Sequence, residues 1–200
     1  MHDLLTLFLP LYFLLVFGLA FLWRSWRTYR ETGINPYRLL GNPGPERVTS
    51  RYFRLLPIAS LLVVALYLAG AEYYALLAPL QWLQHPSLQW LGLALMSLAL
   101  VVVLLAQAQM GDAWRIGVDY ENDTRFVQRG LFRYSRNPIF VGILLSVLGY
   151  FLLLPNALNL LILMLDLALI QVQVSIEEQH LAGRHGEAYA RYRREVRRWV

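Results

Sequence analysis

Residues 138–178 read PIFVGILLSVLGYFLLLPNALNLLILMLDLALIQVQVSIEE. Two apolar runs, Pro138–Leu154 and Ala157–Val174, are separated only by Pro155-Asn156, and so short a linker forces an antiparallel helix pair. Each run approaches the roughly 20 residues that cross about 30 Å of hydrocarbon. The stretch therefore predicts a transmembrane hairpin whose two open ends meet on one membrane face. At the entrance stands Arg136-Asn137-Pro138-Ile139-Phe140, with Pro138 suited to a first helical turn because its missing N–H would have no partner there. At the exit stands Glu177-Glu178, two adjacent carboxylates that need a cationic partner. We read their meeting point as a ligand site.

Working outward, the same blocky apolar pattern recurs at Leu4–Trp23, Leu55–Leu77 and Leu88–Leu105, and 58% of the 200 residues are hydrophobic. This is membrane composition. The expected fold is an all-α, polytopic integral membrane protein with five transmembrane helices and a C-terminal amphipathic helix. The first block has no basic segment before it and no small-residue cleavage site, so it reads as a retained helix.

All 18 basic residues are arginine, seven in 24–54, five in 115–136 and six in 184–198, with none in the other connections. By the positive-inside rule these three segments are cytoplasmic, leaving the N-terminus outside and the C-terminus inside. The net charge of +5 then reflects insertion and anionic lipid, and no nucleic-acid partner is expected. The absence of lysine, with abundant Arg, Leu and Ala, suggests a bacterial chain and an inner membrane. With no cysteine, disulfides and thiolate chemistry are excluded. The pair His180 and His185 at spacing five makes no metal site, and no metal is expected.

Residues 1–109 form an N-terminal set of transmembrane helices with a cytoplasmic loop, 24–54, whose Gly33, Pro36, Gly41, Pro43, Gly44 and Pro45 read as irregular but packed. Residues 110–200 hold a second loop, the hairpin and a tail. The last helix is expected to run to about Leu181, loosen at Gly183 and Gly186 and restart, with Tyr189, Tyr192, Val196 and Trp199 on one face and Arg191, Arg194 and Arg198 on another. Within the last span, Asp166, Gln173 and Glu177 are spaced by seven and four residues, so Gln173 and Glu177 each fall within about 20° of Asp166 around the helix. Asp166 lies about ten residues from the hairpin tip, ~15 Å deep, where an ionised carboxylate is costly, so it should face the bundle interior.

The segment Asp123–Gly142, followed by Glu177-Glu178 and by Gly186-Glu187-Ala188-Tyr189-Ala190-Arg191-Tyr192, resembles the isoprenylcysteine carboxyl methyltransferase and phospholipid methyltransferase group of integral membrane enzymes. The resemblance covers roughly residues 110–199. It implies an S-adenosylmethionine pocket facing the cytoplasm, with cofactor contacts from Thr124, Arg125, Phe126, Val127, Phe132, Asn137, Pro138, Ile139, Phe140 and Glu177. Glu177 would pair with the ligand ammonium, the backbone and arginines around Arg136 would take its carboxylate, and the phenylalanines would cover adenine or attract the sulfonium. The family often has His at the position of Asn137 and Tyr at those of Phe132 and Phe140. Gln173 stands where the isoprenylcysteine enzymes place an arginine that addresses the substrate carboxylate. This puts Gln173 on the substrate side and argues against a carboxylate acceptor.

The expected partner is therefore a lipid or other apolar acceptor arriving from the bilayer. If that acceptor must lose a proton, Asp166, Glu177 and His180 are the bases within reach, and sequence singles out none. Two other readings fit parts of the pattern. One is an NADPH-dependent membrane reductase of the sterol-reductase type, made less favourable by the glutamate pair. The other is a non-enzymatic helical scaffold or transporter. Oligomeric state is not legible.

Overall fold

A computed structural model describes residues 1–38, 45–122 and 126–200. Among these residues there is no strand, only two isolated bridges, and the architecture is a helical bundle. Helix α1 runs from His2 to Thr32, passing through wider π-type turns at Val16–Trp23, and stops at Gly33, whose φ of 70° lies in the left-handed region open to glycine. Helix α2 spans Pro45–Ala69 and α3 is the short Ala71–Ala75. Helix α4 spans Pro86–Met110, α5 Pro138–Leu153 and α6 Ala157–Glu195. Four helices are long and apolar enough to cross a membrane, and α5, at 16 residues, is a shorter apolar helix beside them.

The second apolar block is placed differently from its expected Leu55–Leu77. Gly70, at φ 136°, breaks the helix there, while at the other end the helix starts at Pro45, ten residues before Leu55. Much of what read as an irregular loop over 24–54 is therefore helix. Arg24–Thr32 completes α1 and residues 45–54 are the first turns of α2, while Gly41, Pro43 and Gly44 lie outside the described residues. The physical cue is a proline at a first helical position followed by an acid, a favourable helix start.

The N-terminus, the turn after α3 and the hairpin tip gather at one end of the bundle. There Leu80 N–H donates to Pro155 O at 2.9 Å, Ala157 N–H to Leu77 O at 3.0 Å, and His2 Nδ1 meets the Tyr67 hydroxyl at 2.8 Å. Asn156, fully buried, caps α6 by accepting from Asn159 N–H at 2.9 Å. The arginine-bearing segments gather at the opposite end. Arg24, 4% exposed, donates to Gly111 O and lies over the Trp114 ring, tying α1 to the loop after α4.

Helices α4 and α5 pack backbone to backbone through glycine. A Cβ on Gly92 would sit 2.6 Å from Gly149 O, one on Gly149 would sit 2.7 Å from Gly92 O, and one on Gly142 would meet Val103 at 2.6 Å. Small residues of this kind let helices approach in lipid, where apolar side chains gain little by leaving hydrocarbon. Around them lies a core of Leu5, Leu9, Tyr12, Val63, Met96, Tyr150 and Leu153.

The last helix stays unbroken through Gly183 and kinks at Gly186, with φ 49° and ψ −123°. It ends at Glu195, and Val196 is extended. Val196, Arg198 and Trp199 are thus in a returning tail and share no helical face with Tyr192 or Arg194. Arg136 is the reason: its guanidinium donates to Val196 O at 2.6 Å and Arg193 O at 3.3 Å, satisfying carbonyls at the helix C-terminus.

Gly149→Val should force α4 and α5 apart and lower the detergent-solubilised thermal midpoint, by roughly 1–3 kcal/mol of stability. Gly183→Ala, whose Cβ would meet nothing within 4 Å, should leave the midpoint unchanged or raise it.

Candidate functional site

Four stretches of chain converge at the arginine-rich end: the first turns of α2, the loop after α4, the start of α5, and α6 beyond its apolar run. On α6 the spacing sorts the polar residues. Gln173, Glu177 and His180 share one face, whereas Glu178 points about 100° away toward α5 and the tail.

Glu178, 6% exposed, is the hub of an ion cluster. Its Oε1 accepts from Arg136 Nη2 at 3.0 Å and Nε at 3.1 Å, and its Oε2 accepts from Arg198 Nη2 at 2.6 Å. Asn137 Nδ2 reaches Oε1 at 3.5 Å and donates to Arg198 O at 3.1 Å, while Arg136 N–H donates to Arg197 O at 2.9 Å. Charge-assisted bonds from two arginines lock the tail across the junction of α5 and α6.

The other face is acidic and differently partnered. Glu177 Oε1 accepts from Gln173 Nε2 at 3.0 Å, and Gln173 Oε1 accepts from the Thr49 hydroxyl of α2 at 3.1 Å. Glu46, one turn before Thr49 and 5% exposed, accepts a short hydrogen bond from the Tyr120 hydroxyl. Tyr120 sets its ring edge-on to His180 at 4.9 Å. Among the described residues neither Glu46 nor Glu177 has an ion-pair partner. Burial, then the Glu46 hydrogen bond and the charges of Glu46 and Glu177, push the Tyr120 hydroxyl up to about 12, so it remains a donor.

The loop carrying Tyr120 is held by Asp119. Burial alone would raise this carboxyl, but hydrogen bonds from Asn122, Arg115 and the Glu121 backbone hold it below the usual carboxylate range. Arg115 Nε lies 3.2 Å and Arg38 Nε 3.3 Å from Asp119 Oδ2. Arg38 N–H donates to Ile116 O and Ile116 N–H to Pro36 O, each at 2.9 Å, so the first connection is laced to the second.

Beside the ion cluster lies an aromatic group. Phe126 stacks on His185 at 5.1 Å with an interplanar angle of 21° and meets Tyr192 edge-on at 5.0 Å, with Tyr189 at 5.6 Å. Tyr192 donates to Phe132 O at 2.6 Å. The Gly186 kink lets residues 187–195 fold back to supply these rings. His185 Nε2 is buried there without a hydrogen-bond partner among the described residues.

A model of the phospholipid methyltransferase family matches residues 88–188, about half of the chain. The chain belongs to the phospholipid methyltransferase family. No curated protein matches it significantly. The match starts in α4 and ends just past the Gly186 kink, so Tyr120, Asn137, Gln173, Glu177 and Glu178 fall inside it, and Glu46, Thr49 and Arg198 fall outside. The family is one of methyltransferases, and together with the long apolar helices it supports a membrane methyltransferase.

In this family member, the residues singled out by sequence divide into groups. Gln173, Glu177 and His180 come together on one face of α6, while Phe126 belongs to the aromatic group and Phe132 is tied to it through its carbonyl oxygen. Arg136 and Asn137 are engaged with Glu178 and the tail. Pro138, buried, opens α5, with Ile139 and Phe140 half-buried in its first turn. Val127 is half-buried, and Thr124 and Arg125 lie outside the described residues. Asp166, 6% exposed, stands apart, seven residues or ~10 Å along α6 from Gln173. Sequence reasoning missed Glu46, Thr49 and Tyr120. Only the helix-start signal at Pro45-Glu46 pointed toward the first two.

Glu178→Gln removes the charge that holds two arginines. Discounting the 39% exposure of the Arg198 side chain, roughly 1–2 kcal/mol of tail docking should be lost. Hydrogen exchange at residues 193–198 should accelerate about tenfold, while Glu177→Gln leaves that exchange unchanged.

Proposed function

We propose that the protein is an S-adenosylmethionine-dependent methyltransferase, acting at the cytoplasmic face of a bacterial inner membrane on a lipid or other apolar acceptor. The observation that carries this reading is Glu177, a carboxylate at the inner end of α6 that has an amide beside it but no cation among the described residues. At the same end of the bundle, beside the Glu178 cluster, lie ring faces and the His185 Nε2, which has no hydrogen-bond partner among the described residues. An amino acid joined to a nucleoside fits that donor set. The ammonium suits Glu177, and the base suits the aromatic group and the His185 Nε2 edge.

When bound, the cofactor supplies a methyl group already activated on a sulfonium sulfur. The chain's residues are then left to align and to exclude water, and alignment alone is worth ~7–11 kcal/mol. Glu177 fixes the amino-acid end. Thr124–Val127, Phe132 and Asn137–Phe140 complete the cofactor side, with Arg136 holding the tail that closes over it. Gln173 lies toward the acceptor, and His180 is the group on that face able to hold a proton from it, Asp166 lying two turns deeper in the bundle. Residues 1–109 act as the membrane frame and 110–200 as the cofactor-binding region, with the N-terminus outside by the positive-inside rule.

A lipid acceptor is supported by the family's description and by an apolar groove of about 530 Å³ between α5 and α6. Val141, Leu144, Leu148, Leu163 and Leu167 line it, with Trp199 and Val200 of the tail.

Titration calorimetry of the purified protein should show saturable, roughly micromolar S-adenosylmethionine binding, weakened more than tenfold in Glu177→Ala. Absence of binding by the wild-type protein would overturn the proposal.

A further inference from the structure

Gln173 and Thr49 are nearly inaccessible, 3% and 1% exposed, and they meet across the α2–α6 interface. A buried side-chain amide must satisfy a carbonyl oxygen at one end and an NH2 group at the other. An ionised Glu177 only accepts, so it can tolerate only the NH2 end, and Gln173 Nε2 lies 3.0 Å from its Oε1. The carbonyl end is thereby turned toward α2, where it needs a donor. Thr49 provides it, with its hydroxyl 3.1 Å from Gln173 Oε1.

The hydroxyl has a competing acceptor, Glu46 O at 3.1 Å within its own helix. The oxygen lies between the two acceptors, so the direction of its one proton chooses between them. Charge on Glu177 decides the choice: reversing the amide would set its carbonyl oxygen against the carboxylate, and with the amide as placed the carbonyl faces Thr49 and takes its proton. Thr49, Gln173 and Glu177 therefore form a chain of donors with one direction, running from α2 to the carboxylate.

We infer that Thr49, acting through Gln173, is a positioning residue that aims the Glu177 carboxylate at the ammonium of the bound cofactor. This rests on the cofactor reading above, and it gives α2, which lies outside the family-matched region, a role in the site. It also gives the amide at 173 a task other than substrate recognition, since one of its two N–H donors is committed to Glu177. Among the described side chains Gln173 is the donor that orients the Glu177 carboxylate.

The test compares three ligands in binding experiments: S-adenosylmethionine, S-adenosylhomocysteine, and 5′-methylthioadenosine, which has the nucleoside and sulfur but no ammonium. Thr49→Val keeps the shape and removes the donor. It should weaken the first two ligands about tenfold. Binding of 5′-methylthioadenosine should be unchanged, and Thr49→Ser should restore all three to wild-type values. In a Glu177→Gln background, Thr49→Val should have no further effect on S-adenosylmethionine. Unchanged binding in Thr49→Val, or an equal loss for all three ligands, overturns the positioning role while leaving the cofactor assignment intact. Wild-type protein that binds none of the three overturns both.

Discussion

The ion cluster of Glu178 with Arg136 and Arg198 is the contact on which the inner end of the molecule depends. It joins the start of α5, the exit of α6 and the returning tail, pieces that are 42 and 20 residues from Glu178 along the chain. A buried carboxylate between two guanidinium groups is stable because each charge replaces lost water with charge-assisted hydrogen bonds. The same arginine, Arg136, ends α6 by collecting its last carbonyls. One side chain thus both stops the helix and fastens the segment that follows.

With Glu178 so engaged, its neighbour is free for another task. Adjacent residues on a helix point about 100° apart, and that geometry alone separates a structural carboxylate from one that faces α2 and the loop. Glu177 is met there by an amide, with Glu46 and Tyr120 close by, in an environment that lacks a described cation. The phospholipid methyltransferase family model spans this carboxylate but stops short of α2 and the tail, which frame it from either side.

How far each part was legible depended on how local its cause is. The hairpin at 138–178 was readable because a two-residue linker between apolar runs has one geometric outcome. The kink near Gly186 was readable because only glycine adopts that backbone cheaply, although the helix ran straight through Gly183, where nothing crowds a regular turn. The tail was misread as helix: the Tyr and Arg spacing continued at helical period, and the guanidinium that ends the helix comes from 57 to 60 residues earlier. Glu46 and Thr49 were missed for a similar reason. Glycine and proline in the 33–45 stretch masked a helix that begins within the supposed loop.

By itself the sequence determined a helical membrane protein, the faces on which its charged segments gather, and the placement of Glu177 and Glu178 opposite Arg136. These follow from hydrophobic length, arginine placement and helical period, all of which act over a few turns. Only the tertiary structure decided which glutamate is bound to arginine and which is left facing α2. That choice depends on where Arg198, Thr49 and Tyr120 arrive in space, and their arrival is set by helix packing through Gly92 and Gly149 and by laced loops, contacts between residues too distant in the chain for any local pattern to encode.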